Sequence, residues 1–181
     1  GEDALPPILA ETFRKLGIAS TTVTHPPLFT VEESQRLRGE IPGAHTKNLF
    51  VKDKKGKVFL VTAKEDTPID LKHLHRAIGA TGRLSFGSAE SMMELLGVTP
   101  GSVTVYGLVN DRERRISLVL DKALLASPII NGHPLANTAT TAISRCSRSS
   151  SPRWPRAGRR YAKWCARRRK RRGRPRRGCS P

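Results

Sequence analysis

The chain has 181 residues, 37% of them hydrophobic and 27% charged, and a formal net charge of +18. That length suits one packed domain rather than two independent cores. The charge would suggest a nucleic-acid partner, but it is unevenly placed: residues 145–181 hold 16 of the 33 Lys and Arg and none of the 15 acids, so residues 1–144 carry 17 basic and 15 acidic side chains, a net of +2.

Cysteine follows the same division, because Cys146, Cys165 and Cys179 all lie in the tail. The body therefore excludes a disulfide, a thiol nucleophile and a thiolate metal site, and it fits a reducing cytoplasm. No run of about 18 apolar residues is present to cross a bilayer, and the acidic stretch GEDALPPILAETF is unlike a basic signal peptide. The expectation is a soluble cytoplasmic protein with no membrane partner.

In chain order, PPILAETFRKLG (6–17) spaces Ile8, Leu9, Phe13 and Leu16 as one helical face, with proline at its entry and Gly17 at its exit. TTVTH reads as a short strand that Pro26 and Pro27 stop. Thr30 then caps a second helix to about Leu37, with Glu33 completing a capping box. NLFVKD and KVFLVTA are β-rich runs separated by KKG, which predicts a hairpin with a solvated lysine tip. Asp70 opens a helix through Leu71, Leu74 and Ile78 to Gly79, and Ser88 opens another, SAESMMELLG, with RLSF as a short strand between them. VTPGSVTVYGLVND predicts a Pro-Gly turn into a strand whose partner, RRISLVLD, lies across the polar turn NDRE; INGHPLANTATTAIS supplies two more extended pieces. No strand-helix-strand unit repeats, so the fold class is α/β of the α+β kind, a mixed and largely antiparallel sheet with surrounding helices.

Two regions follow: a domain over 1–144 and an Arg-rich tail over 145–181. The tail shows neither helical nor strand period, and its mutual repulsion predicts disorder. Two explanations compete for it. A basic tail can contact RNA phosphates without sequence preference, and wrong-frame translation of a GC-rich gene would also yield this Arg, Pro, Ser, Gly, Cys and Trp usage; the abrupt compositional break at Ser144 favours the second.

Chemistry is sparse. The five histidines His25, His45, His73, His75 and His133 show no HExxH or paired-cysteine framework, so neither a metal nor another cofactor is expected, and there is no GxSxG elbow, Walker loop or GxGxxG. Polar residues at predicted strand ends remain: His25 before Pro26, Lys47 entering the hairpin, Gly101 and Ser102 in the PGS turn, and His133 with Asn137 and Thr138. Singly, each has a plain structural explanation: a strand stop, a turn, an edge charge that blunts aggregation or a core hydrogen bond.

Together, GAHTKNLFVKDKKGKVFLV, VTPGSVTVYGLVND and NGHPLANTATTAIS, with the earlier THPPLFTVEES, resemble the YbaK/prolyl-tRNA synthetase insertion-domain superfamily over about residues 5–144. Within it the chain is most similar to free-standing trans-editing proteins of the ProXp-ala (PrdX) type. The resemblance implies a deacylase that removes mischarged alanine from tRNA-Pro, with the tRNA-Pro acceptor end as substrate and prolyl-tRNA synthetase as a further partner. It also implies roles. Lys47 is the hallmark lysine and would hold the aminoacyl end or terminal adenosine. Gly101 would let backbone N–H groups approach a carbonyl or ribose oxygen, Ser102 would add a donor, and His133 would order water or bind the adenosine. His25 and Phe29 would line the pocket, Asn48, Asn137 and Thr138 would bind substrate, and Lys52 and Lys54 would meet the tRNA. Lys47 and Gly101 would then converge on one cavity. An aminoacyl ester is already activated, so water, positioning and oxyanion stabilisation can suffice without a protein nucleophile. The arginine-rich tail stands where such relatives continue into a further amphipathic helix, which it is not expected to replace. A noncatalytic nucleic-acid-binding protein working through its basic tail is the alternative.

Overall fold

The computed structural model describes residues 5–27, Arg36, residues 41–144 and the backbone of 162–164. Helix α1 (Pro7–Leu16) starts at a proline whose fixed φ suits a first turn and stops at Gly17, which takes a left-handed φ of 65°. It buries Leu9 and Phe13 against Tyr106, whose ring meets Phe13 edge-on at 5.5 Å. The helix expected from Thr30 to Leu37 lies outside the described residues, Arg36 apart.

Strand β1 (Ser20–Thr24) forms one edge of the sheet. Strands β2 (Ala44–Lys52) and β3 (Val58–Lys64) are the expected hairpin, paired from Thr46–Lys64 to Lys52–Val58. Its tip is built by Asp53, which is buried and accepts from the N–H groups of Lys55, Lys57 and Thr81. Helix α2 (Leu71–Ile78) is capped by Asp70, and α3 (Ala89–Leu96) by Ser88; the two-residue strand β4 (Ser85–Phe86) lies between them.

Strand β5 (Ile116–Asp121) runs into a single helical turn, α4 (Lys122–Leu125), capped by Asp121. Strands β6 (Ile129–Gly132) and β7 (Ala139–Ser144) follow, and β8 (Ala162–Trp164) lies parallel to β5. Except for β8, the tail is outside the described residues, and so is its expected disorder. A strand at 162–164 was not legible in that aperiodic sequence.

The strand order is β1-β7-β6-β2-β3-β5-β8, with β4 on β2. The sheet is mixed: β1–β7, β7–β6, β2–β3 and β2–β4 are antiparallel, whereas β6–β2, β3–β5 and β5–β8 are parallel. Alternation along β2 and β3 divides the core. Phe50 and Leu60 pack with Leu95, Leu96, Val98 and Leu118 on one face; Val51, Phe59 and Val61 pack with Leu74, Ile78 and Val119 on the other.

One expected strand is absent. Residues Val105–Asn110 form a 3-10 helix rather than the partner of β5. Thr104 caps it through its hydroxyl, Gly107 fits closely under Leu96, and the Tyr106 hydroxyl donates to the Thr141 carbonyl at 3.1 Å. Those tertiary contacts override the β propensity of VTVY. β5 pairs with β3 instead, so the polar NDRE turn joins a helix to a strand.

Candidate active site

The site is organised by a fork in the sheet. One edge of β2 is paired with β3 from Thr46 to Lys52, but its other edge is paired only at its ends, with β6 at Ala44–His45 and with β4 at Val51–Lys52. Among the described residues no strand covers the intervening edge. Lys47 and Asn48 stand at this gap and, being adjacent in a strand, they face opposite sides of it. Gly43 allows the entry into β2: at φ 110°, an added Cβ would lie 2.7 Å from Ile129.

On the α2 side of the fork, Lys47 is half-buried and its Nζ donates to the Thr67 carbonyl. His45, two residues earlier on the same face, pairs with Asn131 of β6, and His133 follows in the β6–β7 loop. Burial pushes the His133 imidazole below the ordinary histidine range, a hydrogen bond to the Ala139 carbonyl at 3.2 Å opposes this, and charge on His25 or His45 would push it further down. Because a carbonyl can only accept, Nδ1 of neutral His133 carries the proton, and Nε2 is then an acceptor. His25 is held by the Pro26 carbonyl at 2.8 Å and Thr140 Oγ1 at 3.0 Å, while its N–H donates to the Thr138 carbonyl.

On the Phe50 side, hydroxyls and amides connect the strands. Thr62 donates to Asn48 Oδ1 at 2.8 Å, Asn48 Nδ2 reaches Thr46 Oγ1 at 3.4 Å, and Thr46 donates to the Asn131 carbonyl at 2.9 Å. Thr104 lies beside Gly132, where an added Cβ would stand 3.5 Å from its hydroxyl. The preceding turn carries Gly101, exposed at φ 89°, and buried Ser102, whose N–H donates to the Thr99 carbonyl. Val98 and Val103 fix that turn in the Phe50 cluster.

The structure therefore holds His25 and His133 on the neighbouring β7 residues Thr140 and Ala139 and places Lys47 and Asn48 at the fork. Lys47 faces the α2 side of β2 whereas the Gly101 turn packs beside the Phe50 cluster on the other side, and no described hydrogen bond joins them. Asn137 and exposed Thr138 lie in the loop entering β7. Lys52 and Lys54 are exposed; Lys52 stands roughly 17 Å from Lys47 along β2 at the usual strand rise of about 3.3 Å per residue, and Lys54 lies in the turn beyond it. Phe29 lies outside the described residues.

Sequence reasoning missed Thr67 and Asp121. Asp121 had one visible signal, as an acid at the end of an apolar run, where it caps α4. Among the described residues, no group of three His, Cys, Asp or Glu is placed to hold a metal ion, and no helix is long and apolar enough to cross a membrane.

An α+β domain with a forked sheet, a lysine and an asparagine at the fork and a neutral imidazole nearby can bind and orient an activated ester for attack by water. A family model described as the aminoacyl-tRNA editing domain matches residues 25–145, and the chain belongs to that family. It is 40% identical over 138 residues to a prolyl-tRNA synthetase associated domain-containing protein 1 from Danio rerio, covering 75% of this chain and 74% of that one. It is also 37% identical over 131 residues to the prolyl-tRNA editing protein ProX of Acetoanaerobium sticklandii, covering 72% and 79%. Among solved structures it resembles the hypothetical protein APE2540, with a TM-score of 0.61 and 24% identity over 76% of this chain and 88% of that one. A protein proposed to be a trans-editing enzyme for prolyl-tRNA synthetase aligns at a TM-score of 0.57 with 23% identity over 76% and 87%. The chain is an aminoacyl-tRNA deacylase, an ester hydrolase of the prolyl-tRNA synthetase-associated type.

Proposed function

We propose that the chain acts in trans on alanyl-tRNA-Pro, hydrolysing the ester that joins alanine to the terminal ribose. The observation that carries this reading is the fork beside β2, where Lys47 and Asn48 flank a strand edge left unpaired just past the β6 pairing of His45 with Asn131, two residues before His133. Hydrolysis adds hydroxide to the alanyl carbonyl carbon, breaks the bond from that carbon to the ribose oxygen and returns a proton to that oxygen. Lys47 supplies a cationic donor for the aminoacyl end or terminal adenosine. His133 Nε2 accepts from the attacking water, and the Gly101 backbone N–H, on the Phe50 side of the fork, is offered across the gap toward the developing oxyanion. His25, Asn48, Ser102, Asn137 and Thr138 shape the binding site, and exposed Lys52 and Lys54 meet the phosphates of the acceptor end.

No thiol or serine triad is required, because the ester is activated and orientation alone can contribute several powers of ten. Preference for alanine over proline rests on excluding a larger side chain, since a methylene is worth only about 1–3 kcal/mol. The test is single-turnover deacylation of tRNA-Pro charged with alanine, serine, cysteine or proline. The alanyl ester should be cleared fastest and the prolyl ester at least about tenfold more slowly. Equal rates for alanyl and prolyl esters would refute the assigned substrate while leaving the deacylase class intact.

A further inference from the structure

The Lys47 ammonium is placed by a device that the sequence does not advertise. Lys47 pairs with Ala63 across β2–β3, and the β3–β5 register of Thr62 with Leu120 puts Ala63 next to Asp121. The row across three strands is thus lysine, alanine, aspartate. Ala63 is fully buried and small, which leaves space between the two charged side chains. Thr67, from the turn after β3, stands between them. Its carbonyl accepts from Lys47 Nζ, and its hydroxyl donates to Asp121 Oδ2 at 2.5 Å.

Asp121 is 3% exposed and fully engaged: Oδ2 also accepts from the Lys64 N–H at 3.1 Å, and Oδ1 from the Ala123 N–H at 2.9 Å. A buried carboxylate held on three donors is a fixed point. Thr67 is 9% exposed, and its N–H is tied to the Lys64 carbonyl at 2.9 Å. The same turn offers Lys47 a competing partner in exposed Asp66, whose carboxyl is held below the usual range first by its contact with Lys64 and, more weakly, by Lys47.

We infer that Asp121 and Thr67 are positioning residues for the deacylation, acting through the Thr67 carbonyl to hold the Lys47 ammonium at the fork and away from Asp66. The inference rests on the proposed role of Lys47, but its geometric part can be tested without activity.

The variants are Thr67→Val, which removes the hydroxyl at nearly constant shape and leaves the Lys64 turn bond in place, and Thr67→Ser, which restores the hydroxyl. In the full chain, the nitrogen-15 NMR signal of the Lys47 ammonium should be visible and exchange-protected in the parent and in Thr67→Ser, and lost in Thr67→Val. In single-turnover deacylation, Thr67→Val should slow the parent about tenfold, as expected of a small displacement of a positioning group. It should cause no further slowing when Lys47→Ala is already present, and Thr67→Ser should stay within about twofold of the parent.

A Lys47 signal unchanged by Thr67→Val would overturn the inference, whatever the activities. So would losses that multiply in the double variant, because a general structural defect does not need Lys47. If Lys47→Ala alone deacylates normally, the role assigned to Lys47 fails, and the NMR comparison still decides whether Thr67 positions its ammonium.

Discussion

Neutral His133 at neutral pH is a consequence of its surroundings. Burial disfavours its charged form, and the Ala139 carbonyl only partly offsets that. In the unfolded chain the ring takes up a proton near the ordinary value of about 6.5, so the unfolded state binds more protons than the folded state below that pH. Stability should therefore fall as pH drops from about 6.5 toward the lowered folded value, where the loss levels off. Asp53, Asp66 and Asp70 have carboxyl values held below their ordinary 3.8, so their contributions are present above that value and are lost only as pH falls through the folded values. Urea midpoints at pH 7.5, 6.5 and 5.5 separate the two groups: His133→Gln should flatten the decline across this range. An equally steep decline in the variant would assign it to other groups.

The β2–β3 hairpin was legible because its information is local, two β-rich runs and a short lysine-glycine tip, although the acid that organises the tip was not singled out. Asp53 does that organising for three backbone N–H groups, of which Thr81 has the largest effect on its carboxyl. Replacing Asp53 with Ala should cost about 2 kcal/mol in urea unfolding, since hydrogen bonds to a charged group are worth about 1.5–3 kcal/mol and the donors would be left without it. A change below about 0.5 kcal/mol would mean that water takes its place without cost. The segment 105–110 was misread for the converse reason. Its pattern of alternating residues suits a strand, but the contacts that decide its state come from Leu96, Phe13 and Thr141, distant in sequence. The fork was equally hidden, because the β6–β2 and β2–β4 pairings depend on residues about 85 and 35 positions away from β2. Motif resemblance singled out Lys47 and His133, whereas the contacts of Thr67 with Lys47 and Asp121 depend on the register across β2, β3 and β5.

At the scale of the molecule, charge and site are separate. The 16 basic residues after 144 carry nearly all of the net charge, whereas the candidate site residues all precede it. We propose that residues 1–144 form the editing domain and that the tail acts only as a polycation, touching the domain's sheet through β8. A chain ended at Cys165, which keeps the β8 segment beside Asp121 and removes the Arg-rich run after it, should keep its alanyl-tRNA-Pro deacylation rate at saturating enzyme within about threefold. Its RNA affinity should depend less steeply on salt, by about 0.9 in log–log slope for each phosphate contact removed. Loss of deacylation with the folded signal intact would place part of the site in the tail.

The most direct measurement is the single-turnover rate of alanyl-tRNA-Pro hydrolysis by the parent and by Lys47→Ala, with folding matched by circular dichroism. Removing one preorganised charged donor should lower the rate by about 100-fold or more. A folded Lys47→Ala variant that hydrolyses the ester as fast as the parent would contradict a site built on the fork beside β2.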